Sequence, residues 1–263
     1  MALLEVKELC LEFIQAEKTT PALKGVNICL HEGETLVLAG ESGSGKSITA
    51  LSCTRNLPHN ARITSGSISY RGRDVLSMNT GELRELRGKQ IAYIFQDPTA
   101  YLNPLFTIGN QICEAIRAHE DLPFRRAMDM SGELLERVKI SDIKRVLASY
   151  PHQLSGGMNQ RVFIAMGLAL RPEVLIADEP TTSLDVTIEA EILRLLSELK
   201  KEFGFSLIFI THNLSIAGKI ADRVCIMHEG RVVEEGCWLE ISVHPVHEHT
   251  KELMRAYEEI GKL

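Results

Sequence analysis

Long apolar runs are missing from this sequence of 263 residues: no stretch approaches the roughly 18 residues that a bilayer-spanning helix needs, so a membrane role would require a partner. A secretory leader is not expected either, because the opening MALLEVKELC carries Glu5 where a leader would carry basic residues; the reading is a cytoplasmic protein. Basic blocks are also lacking. With 29 Lys and Arg against 35 Asp and Glu the formal net charge is −6, and no run of positive charge could track a phosphate backbone, so no nucleic-acid partner is expected. The six cysteines, Cys10, Cys29, Cys53, Cys113, Cys225 and Cys237, stand singly with no C-x-x-C pair, which points to reduced, packed thiols rather than disulfides or a zinc site. His244, His247 and His249 gather near the C-terminal end without a companion cysteine, and a solvated tail is the simpler reading. Internal repeats, low-complexity stretches and Gly/Ser linkers are absent, so any subdomains should belong to one folding unit spanning 1–263.

What is present is an alternation of short β-rich runs with helical patterns: TLVLAG then ITALSCTRNL, VLIAD then VTIEAEILRLLSELKKEF, SLIFIT then NLSIAGKIA. That alternation predicts an α/β core with a mostly parallel sheet. LLEVKEL, ALKGVNICL and GSISYRG read instead as short strands with turns between them, an antiparallel β subdomain beside the core. Residues 107 to 147 are helical in pattern and predict an inserted helical subdomain, placed at about 97–157. The segment EHTKELMRAYEEI carries Leu253, Met254, Tyr257 and Ile260 at helical spacing and predicts a terminal helix packed on the core.

Three motifs carry chemistry. GESGSGKS at 40 to 47 follows a strand and opens a helix, which is the context that G-x-x-x-x-G-K-[ST] requires. Gly40, Ser42, Gly43 and Gly45 would let backbone N–H groups curl around the phosphates of ATP, Lys46 would reach the β and γ phosphates, and the Ser47 hydroxyl would ligate Mg²⁺. VLIADEP at 174 to 180 is an apolar strand ending in two acids, with Asp178 suited to the Mg²⁺ water shell and Glu179 to polarising an attacking water. Such an ending is weak alone and strong when it follows a P-loop by about 130 residues. LSGGMNQR at 154 to 161 offers a second phosphate-binding helix N-terminus through Ser155, Gly156 and Gly157. By itself S-G-G before a helix is a cap and a turn, but one nucleotide does not need two cradles in one chain.

In this order, P-loop, IFQDP, LSGGM, ADEP, SLD and TH, the residues resemble the ABC ATPase family over nearly the whole chain. The resemblance implies a P-loop NTPase core of the RecA-like, ABC type and ATP hydrolysis coupled to transport. It implies that Gln96 touches Mg²⁺ and the water, that Asp185 faces a partner subunit and that His212 contacts the γ-phosphate. Phe13 is the best candidate for stacking on adenine, and Asn213 stands where the family commonly has Asp, a change confined to local hydrogen bonding.

QDPTAYLNPLFTIGNQI and TTSLDVTIEAEIL resemble the dipeptide, oligopeptide and nickel branch of bacterial importers. That likeness implies a peripheral subunit at the cytoplasmic face of the membrane, a second ABC ATP-binding subunit, expected to be a paralogue, and integral permease subunits contacted through Tyr101, Leu102, Asn103 and Pro104. An extracytoplasmic substrate-binding protein would be an indirect partner, and the cargo would be peptides or nickel and other metal complexes. HPVHEHTKEL partly resembles the branch's H-P-x-T-x-x-L ending, with Glu248 and His249 in place of Pro-Tyr. The competing class is a soluble ABC ATPase not coupled to transport. The repair type separates P-loop and signature by a long coiled coil, whereas Lys46 and Ser155 are 109 positions apart; the translation type carries two cassettes, whereas this chain has one.

Overall fold

The structure, a computed structural model, describes residues 2–15, 18–182 and 184–260, with side chains only as far as 255. Ser183 of the SLD motif and the side chains of Tyr257 and Ile260 lie outside the described residues. In chain order the elements are β1 (Ala2–Gln15), β2 (Lys18–His31), β3 (Thr35–Ala39), α1 (Lys46–Ser52), β4 (Ala61–Tyr70), β5 (Arg73–Asp74), α2 (Thr80–Leu86), β6 (Ile91–Ile94), α3 (Pro98–Tyr101), α4 (Ile108–Arg117), α5 (Phe124–Arg137), α6 (Ile143–Ala148), α7 (Gly156–Leu168), β7 (Val174–Asp178), α8 (Val186–Phe203), β8 (Ser206–Thr211), α9 (Leu214–Ile220), β9 (Arg223–His228), β10 (Arg231–Gly236), α10 (Trp238–Val243) and α11 (Glu248–Ile260). They divide into two compact units, Met1–Arg84 with Ser206–Leu263, and Glu85–Phe205.

The first unit holds the expected antiparallel sheet, in the order β2-β1-β4-β5. Its long central strand buries Leu4, Val6, Leu9 and Leu11. The parity of that buried face changes between Val6 and Leu9, where the register with β2 shifts and Glu8 takes φ +47°. Asn27 holds this bulge: its side-chain oxygen accepts the Glu8 N–H at 2.9 Å and its amide donates to the Glu8 carboxylate at 2.6 Å. Beside it run β10-β9-β3-β8, with β3 parallel to both β9 and β8. Every residue of β3 and β8 is buried, as expected of parallel strands covered on both faces. The guanidinium of Arg223 ties the sheets together, donating to the Cys29 carbonyl at 3.0 Å and to the buried Glu34 carboxylate at 2.7 Å.

The second unit pairs β6 with β7 in parallel and packs α3 to α8 with them. The 107–147 segment forms α4, α5 and α6. In α4 the residues Ile108, Ile112, Cys113 and Ile116 face inward, and in α5 Ala127, Ser131 and Leu135 do, the spacing of one helical face. Two short helices, α2 and α10, were not foreseen from the sequence; at 7 and 6 residues they are too short to show a period. No helix among the described residues is long and apolar enough to cross a membrane.

The chain leading into α11 is fastened to β10 by one carboxylate. Glu234 accepts the backbone N–H groups of Val246 at 2.8 Å and His247 at 3.0 Å. Burial works against the charged carboxylate, but these donors, Val246 first, outweigh it and hold the Glu234 pKa below the ordinary glutamate value. A lowered folded pKa means that the stabilisation is present above the unfolded value and is lost as the pH falls through the folded one. Glu234→Ala is therefore expected to speed hydrogen exchange at the Val246 and His247 amides by roughly ten-fold or more at neutral pH. Acidification of the unmutated protein should reproduce the loss; unchanged exchange in the variant would show that the strap is held elsewhere.

Candidate functional site

In the first unit the parallel register aligns the strand ends that matter. Ala39 pairs with Thr211 of β8 and with Ile226 of β9, so the loop at 40 to 45 and His212 leave the sheet from the same carboxyl end, where ligands of α/β sheets bind. Gly40 has φ +145°, and a Cβ there would stand 2.2 Å from the Met227 carbonyl oxygen. Gly45, at φ +105°, would push a Cβ to 2.8 Å from Leu23 Cδ2. Only glycine fits either position. The Lys46 ammonium lies inside the turn, only 5% of the residue being exposed, and donates to the carbonyls of Gly40 and Glu41, both at 2.8 Å. Ser42, Gly43 and Ser47 are exposed around it, and so is His212. Asn213 caps α9, its side-chain oxygen accepting the Ser215 N–H at 3.0 Å, the task an Asp would perform there. Phe13 is half-buried on β1, paired with Thr20 and Ala61.

In the second unit Ile94 pairs with Ala177, so Gln96 and the Asp178–Glu179 pair emerge from the same ends of β6 and β7. Gln96 is exposed, but its neighbours are fixed. Phe95 stacks on Tyr101 with centroids 4.1 Å apart, while Asp97 caps α3 through the Thr99 N–H at 2.9 Å. The Thr99 hydroxyl, and then its N–H, hold the Asp97 carboxyl below its ordinary pKa. Glu179 sits at φ +46°, a sparsely populated backbone for a non-glycine residue, and its carboxylate accepts the Thr182 hydroxyl at 2.8 Å. Ser155 caps α7 through the Met158 N–H at 3.4 Å, and both Ser155 and Gly156 are exposed. Gly157 runs close to α8, where a Cβ would be 3.1 Å from Ile188 Cγ2. Asp185 is exposed and caps α8, accepting the Ile188 N–H at 3.0 Å.

One expectation of this segment needs correction. Leu102, read as a contact residue for a membrane partner, is 2% exposed and belongs to the core, because the chain turns inward at the end of α3; Tyr101, Leu105 and Phe106 are the exposed apolar residues of that segment. The residue that shapes it was not foreseen. Buried Gln111 accepts the Asn103 N–H at 2.8 Å and donates to the carbonyls of Asn103 and Phe106 at 3.0 and 2.9 Å. Polar Gln111 within the apolar pattern of α4 was the available signal.

The family model described as ABC transporter matches residues 23–182, which include the P-loop, the signature and the Asp178–Glu179 pair. The chain belongs to the ABC transporter family. As a member it is an ABC-type ATPase that binds ATP. It is 46% identical over 97% of its length to a probable peptide ABC transporter ATP-binding protein of Sinorhizobium fredii, covering 76% of that protein. It is 43% identical over 99% of its length to the glutathione import ATP-binding protein GsiA of Escherichia coli, of whose length it spans only 43%. Among solved structures it resembles the dimeric ATP-binding cassette MJ0796 bound to ADP and Pi, with TM-score 0.78, 28% identity and coverage of 89% of this chain and 98% of that one. It also resembles cbiO1 of Clostridium perfringens, part of the transporter complex cbiONQ, with TM-score 0.79, 29% identity and coverage of 99% and 98%. These likenesses agree with the expected P-loop NTPase core, antiparallel β subdomain and peptide-importer branch.

For this ATPase the buried lysine gives a two-part outcome. Lys46→Ala removes the cation and also leaves the Gly40 and Glu41 carbonyls short of a donor, a loss of about 1–3 kcal/mol. The melting temperature of the ligand-free variant should fall by roughly 2–10 °C, alongside a loss of ATP affinity measured with a fluorescent nucleotide analogue. An unchanged melting temperature would show that the loop does not depend on the ammonium.

Proposed function

We propose that this chain is the motor subunit of an importer: one ABC-type domain over 1–263 with a helical subdomain at about 97–157, closing on ATP and Mg²⁺ against a second cassette at the cytoplasmic face of a membrane. The observation that carries the reading is the exposed Ser155–Gly156 end of α7, capped by its own serine and turned to solvent, in a chain whose Lys46 already serves one phosphate cradle. The dimeric cassette among the structural relatives supports a sandwich in which this end grips ATP held by the partner subunit.

In that sandwich Lys46 and the N–H groups of residues 40 to 47 bind the β and γ phosphates. Ser47, Gln96 and Asp178 would hold Mg²⁺; a hydroxyl, an amide oxygen and a carboxylate, each at least partly exposed, are the hard oxygen donors that suit this ion, whose charge would neutralise the phosphates. Glu179 orients and deprotonates the attacking water, His212 contacts the γ-phosphate, Phe13 stacks on adenine and Asp185 faces the second subunit. The two relatives support a peptide-type cargo, and neither name supports nickel complexes. Such a cargo would reach the permease through an extracytoplasmic binding protein.

The Tyr101–Phe106 segment is the proposed permease contact. Leu105 is 79% and Phe106 49% exposed, while Leu102 and Gln111 fix the loop from within. Leu105→Asp is expected to weaken co-purification with the permease while leaving ATP affinity and melting temperature unchanged, since the side chain is already in solvent. Normal assembly would remove this loop from the interface.

The sandwich itself is tested in trans. Glu179→Gln should keep ATP bound, slow turnover by roughly 10² or more and accumulate the ATP-bound dimer. Ser155→Arg in that background should abolish ATP-dependent association, followed by light scattering, without weakening each subunit's own ATP binding. Full turnover by isolated Ser155→Arg monomers, linear in protein concentration, would favour a monomeric ATPase.

A further inference from the structure

Three side chains distant in sequence meet beside the phosphate loop of the first unit. Glu41 lies on the loop, His228 ends β9 and His249 stands in the first turn of α11; one ligand atom from each lies within 4.8 Å of the others. The rings of His228 and His249 have centroids 3.7 Å apart, tilted by 31°. His249 is 92% buried, and its Nε2 is shielded from solvent with no hydrogen-bond partner among the described residues. A buried ring nitrogen in that state is costly unless something ligates it. Its Nδ1 faces the Glu252 carboxylate at 3.9 Å. At that distance the carboxylate is no hydrogen-bond acceptor for the ring, but its negative charge favours a cation held at the cluster.

We propose that Glu41, His228 and His249 form a site for a divalent first-row transition-metal ion of the zinc and nickel class, with water completing the coordination. Two imidazoles and one carboxylate suit such borderline ions, whereas Mg²⁺ and Ca²⁺ prefer all-oxygen shells. Bonds of about 2.0–2.2 Å bring tetrahedral ligand atoms to roughly 3.3 Å from one another, so modest side-chain rotation closes the present cluster around an ion. The site does not depend on the importer reading. It needs neither nucleotide nor a second subunit, and its occupation links the phosphate loop directly to α11.

The full chain, stripped of metal and free of nucleotide, is titrated with Zn²⁺ against a chromophoric chelator with Mg²⁺ in excess. One equivalent should bind and raise the melting temperature. His228→Ala and Glu41→Gln should each weaken binding ten-fold or more, and Glu41→Gln, on an exposed residue, should keep the native fold by circular dichroism. His249→Ala should do the same, its melt in the absence of metal separating a folding defect from a lost ligand. A paired His152→Ala and His244→Ala variant, lacking two of the exposed histidines outside the cluster, should bind as the unmutated chain does. No zinc binding by the unmutated chain, full binding by both Glu41→Gln and His228→Ala, or loss of binding in the His152 and His244 pair would overturn the proposal.

Discussion

Three backbones converge at the phosphate loop with no space for side chains between them, and the arrangement of the first unit follows from that crowding. Gly40 lies against the Met227 carbonyl, and Gly45 and Gly230 lie against the turn of β2 at Ala22–Leu23. The contacts are bonded as well as close: the Gly230 N–H donates to the Ser44 carbonyl at 3.0 Å, and the Lys24 N–H donates to the Gly230 carbonyl at 2.8 Å. The antiparallel sheet, the parallel core and the nucleotide loop are thereby locked through main-chain atoms, whose positions vary less than those of side chains. Lys46 completes the lock from within by holding the carbonyls of Gly40 and Glu41.

The second unit achieves rigidity by other means. Its candidate site residues sit just outside strand ends or at the start of α7, and each has a bracing contact beside it. Gln96 is flanked by stacked Phe95 and capping Asp97, Glu179 by the Thr182 hydroxyl, and the Ser155–Gly157 turn by the approach of Gly157 to Ile188. Arg161 then fixes α7 as a body, donating to the Val138 carbonyl at 3.1 Å and to Glu191 at 2.8 Å. Side chains on so braced a main chain have their positions set by the scaffold.

The fold was legible where the sequence is periodic or punctuated. Buried strands such as SLIFIT read as unbroken apolar runs, α4 and α5 show one apolar face, and GESGSGKS marks its own strand-to-helix turn. Long-range pairing was not legible. Nothing local announces that Leu102 turns inward between exposed neighbours, or that His228 and His249 stack, and polar Gln111 within an apolar helix pattern marks a brace without naming what it holds. The three clustered C-terminal histidines read as a solvated tail, and His249 is instead buried, because the Glu234 carboxylate ties the preceding amides to β10 and draws the start of α11 onto the sheet. Burial, and then the neighbouring His228, keep its imidazole below the ordinary histidine pKa.

The Gln111 brace also bears on which positions of the segment can change. Because the loop's shape is set by main-chain bonds to a buried amide, the identities of residues 105 and 106 are uncoupled from its conformation. Apolar groups at those two positions can be exchanged for polar ones without passing through a misfolded intermediate. Position 111 has no such latitude: a hydrophobic replacement there would strand two carbonyls and an amide at once, so that the shelf would lose its form whatever stands at 105 and 106.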